Sequence, residues 1–447
     1  MMQSEIRTVS YPNGEIQRFQ ILRWDHWNQL DFLTPCYSTD SLDRFAGIYR
    51  NYLIPAAPWI FGQMVMFRLP ENFTMKLPFH TERCGTTASS LTAAAAVLQE
   101  GVSIRGGKPH FRNDTAKQLW NALEEQNAIR VVSGKLPVTK IIPVTNLCGY
   151  LTQTETKAEL KVNANFFIMD RFDCATVYDH VGTPFGLCVK DGEVLHPPLY
   201  NREALLIGKN REVTIRNLDV RDLELEIDGQ RFRHGENAVI YTRPQRIRPP
   251  AGRKQYLVIT GSQVTAISKK PLAIPASGFV LCPQEDVEIQ AGAAVVYHGL
   301  EDVTFGIQVG NSILKDGIKT ERFYSKFYNI RHLEPIPFPP SLYPMNFDKS
   351  RAARIALGAD SEGKPILLWA EGAAKSGYIP GQGSCGASLK ELAELCELAG
   401  MKHAVNLDGG GSAQILLQNQ RALQISDREP QSFAERERPV PLGLIIK

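Results

Sequence analysis

Short apolar segments separated by glycine, proline and aspartate turns dominate the chain from about residue 160 onwards. Leu187–Lys190 and Glu193–Leu195 are two such segments, and Asp191-Gly192 lies between them. An Asp-Gly pair between two apolar runs is a strong local signal for a β-hairpin. Leu223–Ile227 followed by Asp228-Gly229 repeats the pattern. The sequence therefore predicts a β-rich region built largely from short hairpins.

Two segments have the cap and spacing of helices instead. Thr115–Asn127 follows Asn113-Asp114, residue types that cap a helix N-terminus. Ser388 and Glu391 form a capping-box pattern at the start of an apolar helical stripe. We expect an α+β chain: a β-rich mixed sheet core flanked by helices, with an N-terminal α/β elaboration. The expected division is residues 1–150 for the elaboration (first strands plus an inserted helical segment) and 151–447 for the main domain.

Composition and the absence of targeting patterns exclude several classes of protein. Fifty basic residues against 47 acidic ones give a net charge of +3, too balanced for a general nucleic-acid binder. Leu91–Leu98 is far too short an apolar run to span a bilayer, and the N-terminal residues lack a secretory h-region. Eight cysteines without a CxxC pair favour reduced core residues. We therefore expect a cytoplasmic protein with neither membrane nor nucleic acid as partner.

The most unusual segment is Asn406–Ser412, which reads NLDGGGS and lies between two apolar runs. Strand alternation places Asn406 and Asp408 on one side of the chain. Three glycines permit positive φ and close approach to a ligand, and successive N–H groups can form an anion-binding nest. A plain glycine turn between two strands is the alternative. The entropic cost of so many glycines favours a binding function.

This segment resembles the signature of the phosphodiester glycosidase family, and further segments resemble that family in the same order. They are Val162–Phe167, Thr183–Gly186, Ala238–Thr242, Ile274–Leu281, Phe305–Gly310, Arg354–Gly358 and Arg438–Val440. The resemblance spans roughly 150–447, whereas residues 35–137 look like an addition.

The resemblance implies hydrolysis of a sugar-1-phosphate diester, or of a nucleotide-linked glycoside, at the anomeric C–O bond. Asp408 is the expected carboxylate at the oxocarbenium-like centre, as nucleophile or as base for water. Glu371 is the candidate partner carboxylate, at a position where the family typically carries Asp-Gly-Arg, and Lys375 is a candidate substitute for that missing arginine. Arg354 and Arg438 are candidate phosphate clamps because a guanidinium fork binds phosphate oxygens bidentately.

The remaining expected contacts are with a small-molecule phosphodiester or nucleotide-sugar substrate. They are Asn163, Asn165, Thr183, Asn406, Gly409, Gly410, Gly411 and Ser412. No cofactor is expected, since no ligand-spaced loop supports the alternative of Ca²⁺ or Mg²⁺ on the oxygens of Asn406, Asp408 and Glu371. A catalytically lapsed protein that binds a sugar phosphate or nucleotide remains the functional alternative, because Asn165 and Glu371 depart from the family pattern.

Overall fold

The structure is a computed structural model. The residues it describes are 2–33, 62–67, 94, 97–98, 100–132, 136–143, 150–154, 156–167, 184–199, 202–243, 248–276, 278–308, 310, 312–320, 350–373, 379–428 and 432–447.

The described residues of the N-terminal part form eight strands and one complete α-helix. They are β1 (Gln3–Ser10), β2 (Ile16–Arg23), β3 (Leu30–Leu33), β4 (Gly62–Phe67), β5 (Val102–Arg105), β6 (Lys108–Phe111), α1 (Asp114–Glu125), β7 (Ile129–Val132) and β8 (Leu136–Pro143). Helix α1 begins where predicted, because the Asn113 side chain accepts a hydrogen bond from the N–H of Ala116.

The middle of the chain is composed of short strands. They are β9 (Leu160–Asn163), β10 (Cys188–Lys190), β11 (Glu193–His196), β12 (Arg202–Gly208), β13 (Val213–Leu218), β14 (Glu224–Ile227), β15 (Gln230–Arg233), β16 (Ala238–Thr242), β17 (Tyr256–Thr260), β18 (Gln263–Ser268), β19 (Gly278–Pro283), β20 (Val295–His298), β21 (Val303–Ile307), β22 (Ser312–Lys315) and β23 (Ile318–Lys319).

Five strands and a second helix complete the described fold. They are β24 (Arg354–Ala359), β25 (Pro365–Ala370), α2 (Leu389–Leu398), β26 (His403–Asn406), β27 (Ile415–Leu417) and β28 (Gly443–Ile446). The predicted capping box of α2 is confirmed: the Ser388 hydroxyl accepts from the Glu391 N–H, and the Glu391 carboxylate accepts from the Ser388 N–H.

The hairpins predicted from Asp-Gly pairs are confirmed. Asp191-Gly192 connects β10 to β11 and Asp228-Gly229 connects β14 to β15, with positive φ at both residues of each pair. Asp316-Gly317 joins β22 to β23 in the same conformation. The prediction of a β-rich chain is thus correct. Its finer part, a core flanked by helices, stays a prediction, since the described residues contain two complete helices.

A seven-stranded sheet carries the residues of greatest interest. Its strand order is β1-β2-β25-β24-β26-β22-β23, and every neighbouring pair is antiparallel. Since β25 and β26 both run antiparallel to β24, their C-terminal ends lie at one edge of the sheet. The N-terminal ends of β24 and β2 lie at that same edge, hereafter the Arg354 edge. Helix α2 packs against one face of the sheet through Leu389, Leu392 and Cys396.

A four-stranded sheet of order β27-β9-β28-β3 packs against the other face. The shared core contains Val162 and Ile415 from the smaller sheet and Leu357, Trp369 and Val405 from the larger one. The segment between β26 and β27 therefore crosses from one sheet to the other. That crossing segment contains Asp408 and the three glycines.

The other strands form sheets of order β11-β10-β21-β12-β13, β16-β19-β17-β18 and β15-β14-β20 around a further core. The first of these sheets also contributes Cys188, Leu205 and Ile307 to the core that contains Val162 and Trp369. Strands β7-β4-β8 and β5-β6 pack with α1 around a core of their own. The domain boundary at residue 150 stays a prediction. Strands β1 to β3 hydrogen-bond into the two sheets that hold Asp408, whereas the described residues of 62–132 supply their own core.

No helix within the described ranges combines the length and apolar character that crossing a membrane requires.

Replacing Ser388 by alanine should lower the free energy of unfolding by about 1 kcal/mol, because the first turn of α2 loses a side-chain acceptor. Urea unfolding of wild type and Ser388→Ala measures this difference. Ser10→Ala, an exposed position at the end of β1, is the control and should change stability by less than about 0.5 kcal/mol. Equal stability of the Ser388→Ala and Ser10→Ala proteins would contradict the prediction.

Candidate active site

The Arg354 edge brings together the three residues that are predicted to be catalytic. Arg354 begins β24 and pairs with Ala370, the last residue of β25, so Glu371 follows directly at this edge. Asn406 ends β26 opposite Ala356, and Asp408 lies two residues beyond. Because β24 separates β25 from β26, the backbones leading to the two carboxylates are about 10 Å apart.

Three glycine-containing loops pack against the two alanines that precede Arg354. A Cβ on Gly372 would lie 2.6 Å from the Ala353 nitrogen, and one on Gly409 would lie 2.6 Å from the Ala353 oxygen. A Cβ on Gly386 would lie 2.9 Å from the Ala352 nitrogen. These contacts leave no room for larger residues, so the three loops meet at the start of β24.

The backbone of Asp408 is held by strand β9. The Asp408 N–H donates to the Ala164 carbonyl at 2.9 Å, and the Asp408 carbonyl accepts from Asn163 Nδ2 at 2.7 Å. The other end of the same amide, Asn163 Oδ1, accepts from the Gln414 N–H at 3.0 Å. One buried asparagine thus fixes both ends of the loop from Asp408 to Gln414.

The Asp408 carboxyl is buried, with 8% of the residue exposed. Burial raises its pKa from 3.8 to about 6. Hydrogen bonds from the Ser412 hydroxyl and the Gly409 N–H, together with the charges of Arg438 and Arg354, oppose part of that rise. The group therefore exchanges its proton slightly below neutral pH and is mostly ionised at pH 7.

Arg438 links Asp408 to a second buried carboxylate. Its Nη1 donates to Ser412 Oγ at 3.3 Å, and its Nη2 forms an ion pair with Asp427 Oδ2 at 2.9 Å. The sequence alone does not indicate a role for Asp427, since the mixed charges around it are typical of an exposed loop. The described hydrogen bonds make it part of the network around Asp408.

The three glycines of the loop serve three different structural needs. Gly409 packs on the backbone of β24, and only Gly410 has a positive φ, 59°. A Cβ on Gly411 would overlap Asp427 Oδ2 and Arg438 Nη2. The expected close approach is therefore made, at two of the three positions, to other parts of the protein.

The backbone N–H groups of this loop are largely used within the protein. Gly410 donates to the Ala353 carbonyl at 2.8 Å, and Ser412 donates to Gly409 at 3.1 Å. The Ala413 N–H donates to Gly410 at 3.3 Å, and the Gly409 N–H bonds to the Asp408 carboxylate. In this conformation the loop stabilises its own aspartate. Its role as an anion-binding nest stays a prediction.

Arg354 is buried and hydrogen-bonded to backbone carbonyls. Its Nε donates to the Ala387 carbonyl at 3.0 Å, and its Nη2 donates to the Ser350 carbonyl at 2.8 Å. Its positive charge lies close enough to Asp408 to lower the pKa of that carboxyl. Its contacts place it between β24 and the loop before α2.

Glu371 has a different environment from Asp408. Both of its carboxylate oxygens accept from Arg18 of β2, at 2.8 Å from Nε and 2.6 Å from Nη2. The Ser384 hydroxyl donates to Oε2 at 2.5 Å, and the Gln424 N–H donates to Oε1 at 2.9 Å. The catalytic role of Glu371 stays a prediction, and its carboxylate is already paired with Arg18. Sequence reasoning missed Arg18, because its partner is 353 residues away.

Two further predicted contacts, Asn165 and Asn406, are each tied to the backbone of another segment. Asn165 Nδ2 donates to the Phe185 carbonyl at 3.0 Å, and the Asn406 carbonyl accepts from the Gly310 N–H at 2.9 Å. The side-chain oxygens of Asn165 and Asn406 are buried and have no hydrogen-bond partner among the described residues. Thr183 and Lys375 fall outside the described residues. Within the described ranges, no group of three or more His, Cys, Asp or Glu side chains is placed to hold a metal ion.

Comparison with family models identifies a phosphodiester glycosidase domain at residues 221–447, just over half of the chain. The chain belongs to the phosphodiester glycosidase family. The family match includes Asp408, the glycines, Asp427, Arg438, Arg354 and Glu371, and it begins after Arg18 and Asn163. Comparison with curated proteins gives no match.

The chain is also similar to solved structures. One is a hypothetical protein from Synechocystis, at 16% identity and a TM-score of 0.43, covering 100% of this chain and 62% of that one. Another is the catalytic domain of zebrafish N-acetylglucosamine-1-phosphodiester alpha-N-acetylglucosaminidase, auto-inhibited by its pro-peptide, at 13% identity and a TM-score of 0.39, with coverages of 100% and 83%. A Burkholderia pseudomallei protein described as exported matches at 15% identity and 0.39, with coverages of 100% and 97%. The chain thus spans less than two thirds of the Synechocystis protein.

Gly411→Ala should destabilise the protein by about 2 kcal/mol or more, because its Cβ would displace a buried ion pair. Gly410→Ala is the matched control: the space around Gly410 is open, so only its positive φ opposes alanine, at a cost of about 1 kcal/mol. Thermal and urea unfolding of both variants measure the two effects. A smaller loss for Gly411→Ala than for Gly410→Ala would contradict the assignment.

Asp408→Asn should increase the free energy of unfolding at pH 7.5 by about 3 kcal/mol, since ionising this carboxyl costs more in the folded protein than in the unfolded chain. The native state holds the proton more tightly, so this group destabilises the wild type as pH rises from about 4 to about 6. The gain from Asp408→Asn should therefore disappear near pH 4. Urea unfolding at both pH values measures it, and an equal gain at both would contradict the raised pKa.

Proposed function

We propose that this chain is a hydrolase that cleaves the bond between the anomeric carbon of a sugar and a phosphodiester oxygen. Membership of the phosphodiester glycosidase family supports the reaction class. The observation that carries the proposal for this site is Asp408, a buried carboxyl with a pKa near 6 at the junction of two sheets. Such a group is ionised at neutral pH without being locked in a bidentate ion pair.

In this proposal the ionised Asp408 acts at the anomeric carbon in one of two ways. As base it takes a proton from the water that attacks that carbon, and as nucleophile it forms a glycosyl ester that water then hydrolyses. The C–O bond to phosphate breaks with its electron pair leaving on the phosphate oxygen. A phosphate monoester is a good leaving group, so the reaction depends on stabilising charge more than on protonating that oxygen. Arg354 and Arg438 place two positive charges near Asp408, which supports their predicted role in compensating negative charge.

The other predicted substrate contacts divide by their surroundings. Asn163 and the three glycines position the Asp408 loop, which supports an indirect contribution to binding. Ser412 donates a hydrogen bond to the Asp408 carboxylate and accepts one from Arg438, so it lies between the proposed reacting group and a proposed phosphate clamp. The buried side-chain oxygens of Asn165 and Asn406 can accept hydrogen bonds, as sugar hydroxyls require.

A second candidate function is binding of a sugar phosphate or nucleotide without turnover. The observation that favours it is the bidentate ion pair between Glu371 and Arg18, because the expected second carboxylate is already bound to a guanidinium group. Glycosidases that use two carboxylates need both within reach of the scissile bond. Calorimetric binding of a sugar phosphodiester without product formation would support this second candidate.

The test measures hydrolysis of a panel of sugar-1-phosphate diesters and nucleotide-linked glycosides, with the products detected by mass spectrometry. Activity should fall as pH drops below about 6, because the proton then neutralises Asp408. Asp408→Asn should lower kcat by roughly a thousandfold. Asp302→Asn removes an exposed carboxylate paired with Lys209 and is the control that should leave activity unchanged. Full turnover by Asp408→Asn would overturn the assignment.

A further inference from the structure

Arg18 places a guanidinium group at the Arg354 edge, although it lies outside the region that the family match covers. It precedes Phe19, which pairs with Ala370 at the end of β25, and its carbonyl accepts from the Glu371 N–H at 3.0 Å. Backbone pairing and the side-chain ion pair therefore both join Arg18 to Glu371. The position of Arg18 at this edge is determined by the sheet itself.

Only the glutamate of this ion pair is buried. The Glu371 side chain is 3% exposed, whereas the Arg18 side chain is 40% exposed. Ser384 and Gln424 add hydrogen bonds to the same carboxylate, so Glu371 is anchored from three directions. A fixed carboxylate that holds an exposed guanidinium orients the cation toward solvent at little cost in side-chain entropy.

The two arginines near Asp408 are less accessible than Arg18. Arg354 is 3% exposed and donates to two backbone carbonyls, and the Arg438 side chain is 12% exposed and paired with Asp427. The fork from Arg18 to Glu371 uses Nε and Nη2, and Nη1 has no hydrogen-bond partner among the described residues. An anion that approaches this edge therefore meets Arg18 before it meets the buried arginines.

We propose that Arg18 binds the phosphate group of the substrate and that Glu371 positions it. This inference rests on the proposed function, since it assigns the phosphate contact of that same site. Phosphate oxygens accept two hydrogen bonds from one edge of a guanidinium group. Because Glu371 fixes the orientation of Arg18, the contact requires the planar group of arginine. Glu371 then contributes through Arg18, with no contact to the reacting atoms.

The first measurement is calorimetric titration of the full chain with inorganic phosphate and with methyl phosphate. Arg18→Gln should weaken binding about tenfold or more, because a charged hydrogen-bond donor is lost. Arg23→Gln is the matched control at the other end of β2, where the arginine pairs with Glu5 instead. Unchanged affinity in Arg18→Gln, or no phosphate binding by wild type, would overturn the proposal.

Two further variants separate phosphate binding from a purely structural role. Arg18→Lys keeps the positive charge but loses the planar fork, so it should bind phosphate more weakly than wild type and more tightly than Arg18→Gln. If Arg18→Gln folds poorly, Arg18→Lys can still be compared with wild type. Glu371→Gln should also weaken phosphate binding while the pH profile of kcat stays unchanged. A shifted pH profile would instead assign Glu371 to the chemistry and overturn its positioning role.

Kinetics distinguish this inference from the proposed function itself. With an active diester, Arg18→Gln should raise KM for that diester and leave turnover of a neutral aryl glycoside of the same sugar unchanged. Equal loss on both substrates would overturn the phosphate contact. Phosphate binding needs no turnover. If the wild type is inactive and its phosphate affinity falls in Arg18→Gln and Glu371→Gln but not in Arg23→Gln, the hydrolase is refuted while the role of Arg18 is supported.

Discussion

Close backbone packing at the start of β24 is the constraint on which the site depends. Ala352 and Ala353 are small, and Gly372, Gly386 and Gly409 face them at distances that exclude any Cβ. The loops after β25, before α2 and after β26 consequently meet at one point. Arg354, Glu371 and Asp408, at the Arg354 edge, each lie on one of these loops or contact one. A single larger residue here would separate the carboxylates from one another.

The buried carboxylates around this point are compensated in different ways. Glu371 and Asp427 each form an ion pair with a guanidinium, from Arg18 and Arg438. Asp408 receives only single hydrogen bonds from Ser412 and Gly409, so burial dominates and its pKa rises. Two of the three carboxylates are thus each held by an arginine. The third remains able to change protonation near physiological pH, as acid–base and nucleophilic chemistry require.

Local features of this chain could be predicted from sequence, whereas contacts between distant segments could not. Asp-Gly turns, the Asn113 cap and the Ser388 capping box depend on neighbouring residues, and all are present. The special character of the Asp408 segment was also evident, because three glycines are rarely tolerated without a close contact. The parts that sequence reasoning missed, Arg18 and Asp427, depend on strand order and ion pairing, which leave no local pattern.

The strand order also has a consequence for when the site can form during synthesis. Strand β2 pairs with β25, and β3 pairs with β28, so segments from the two ends of the described chain lie side by side. Contacts between residues so far apart in sequence form late and slowly in folding. A partly synthesised chain therefore carries Arg18 without Glu371 and without the Asp408 loop. The ribosome must release almost the entire chain before this surface can meet any ligand.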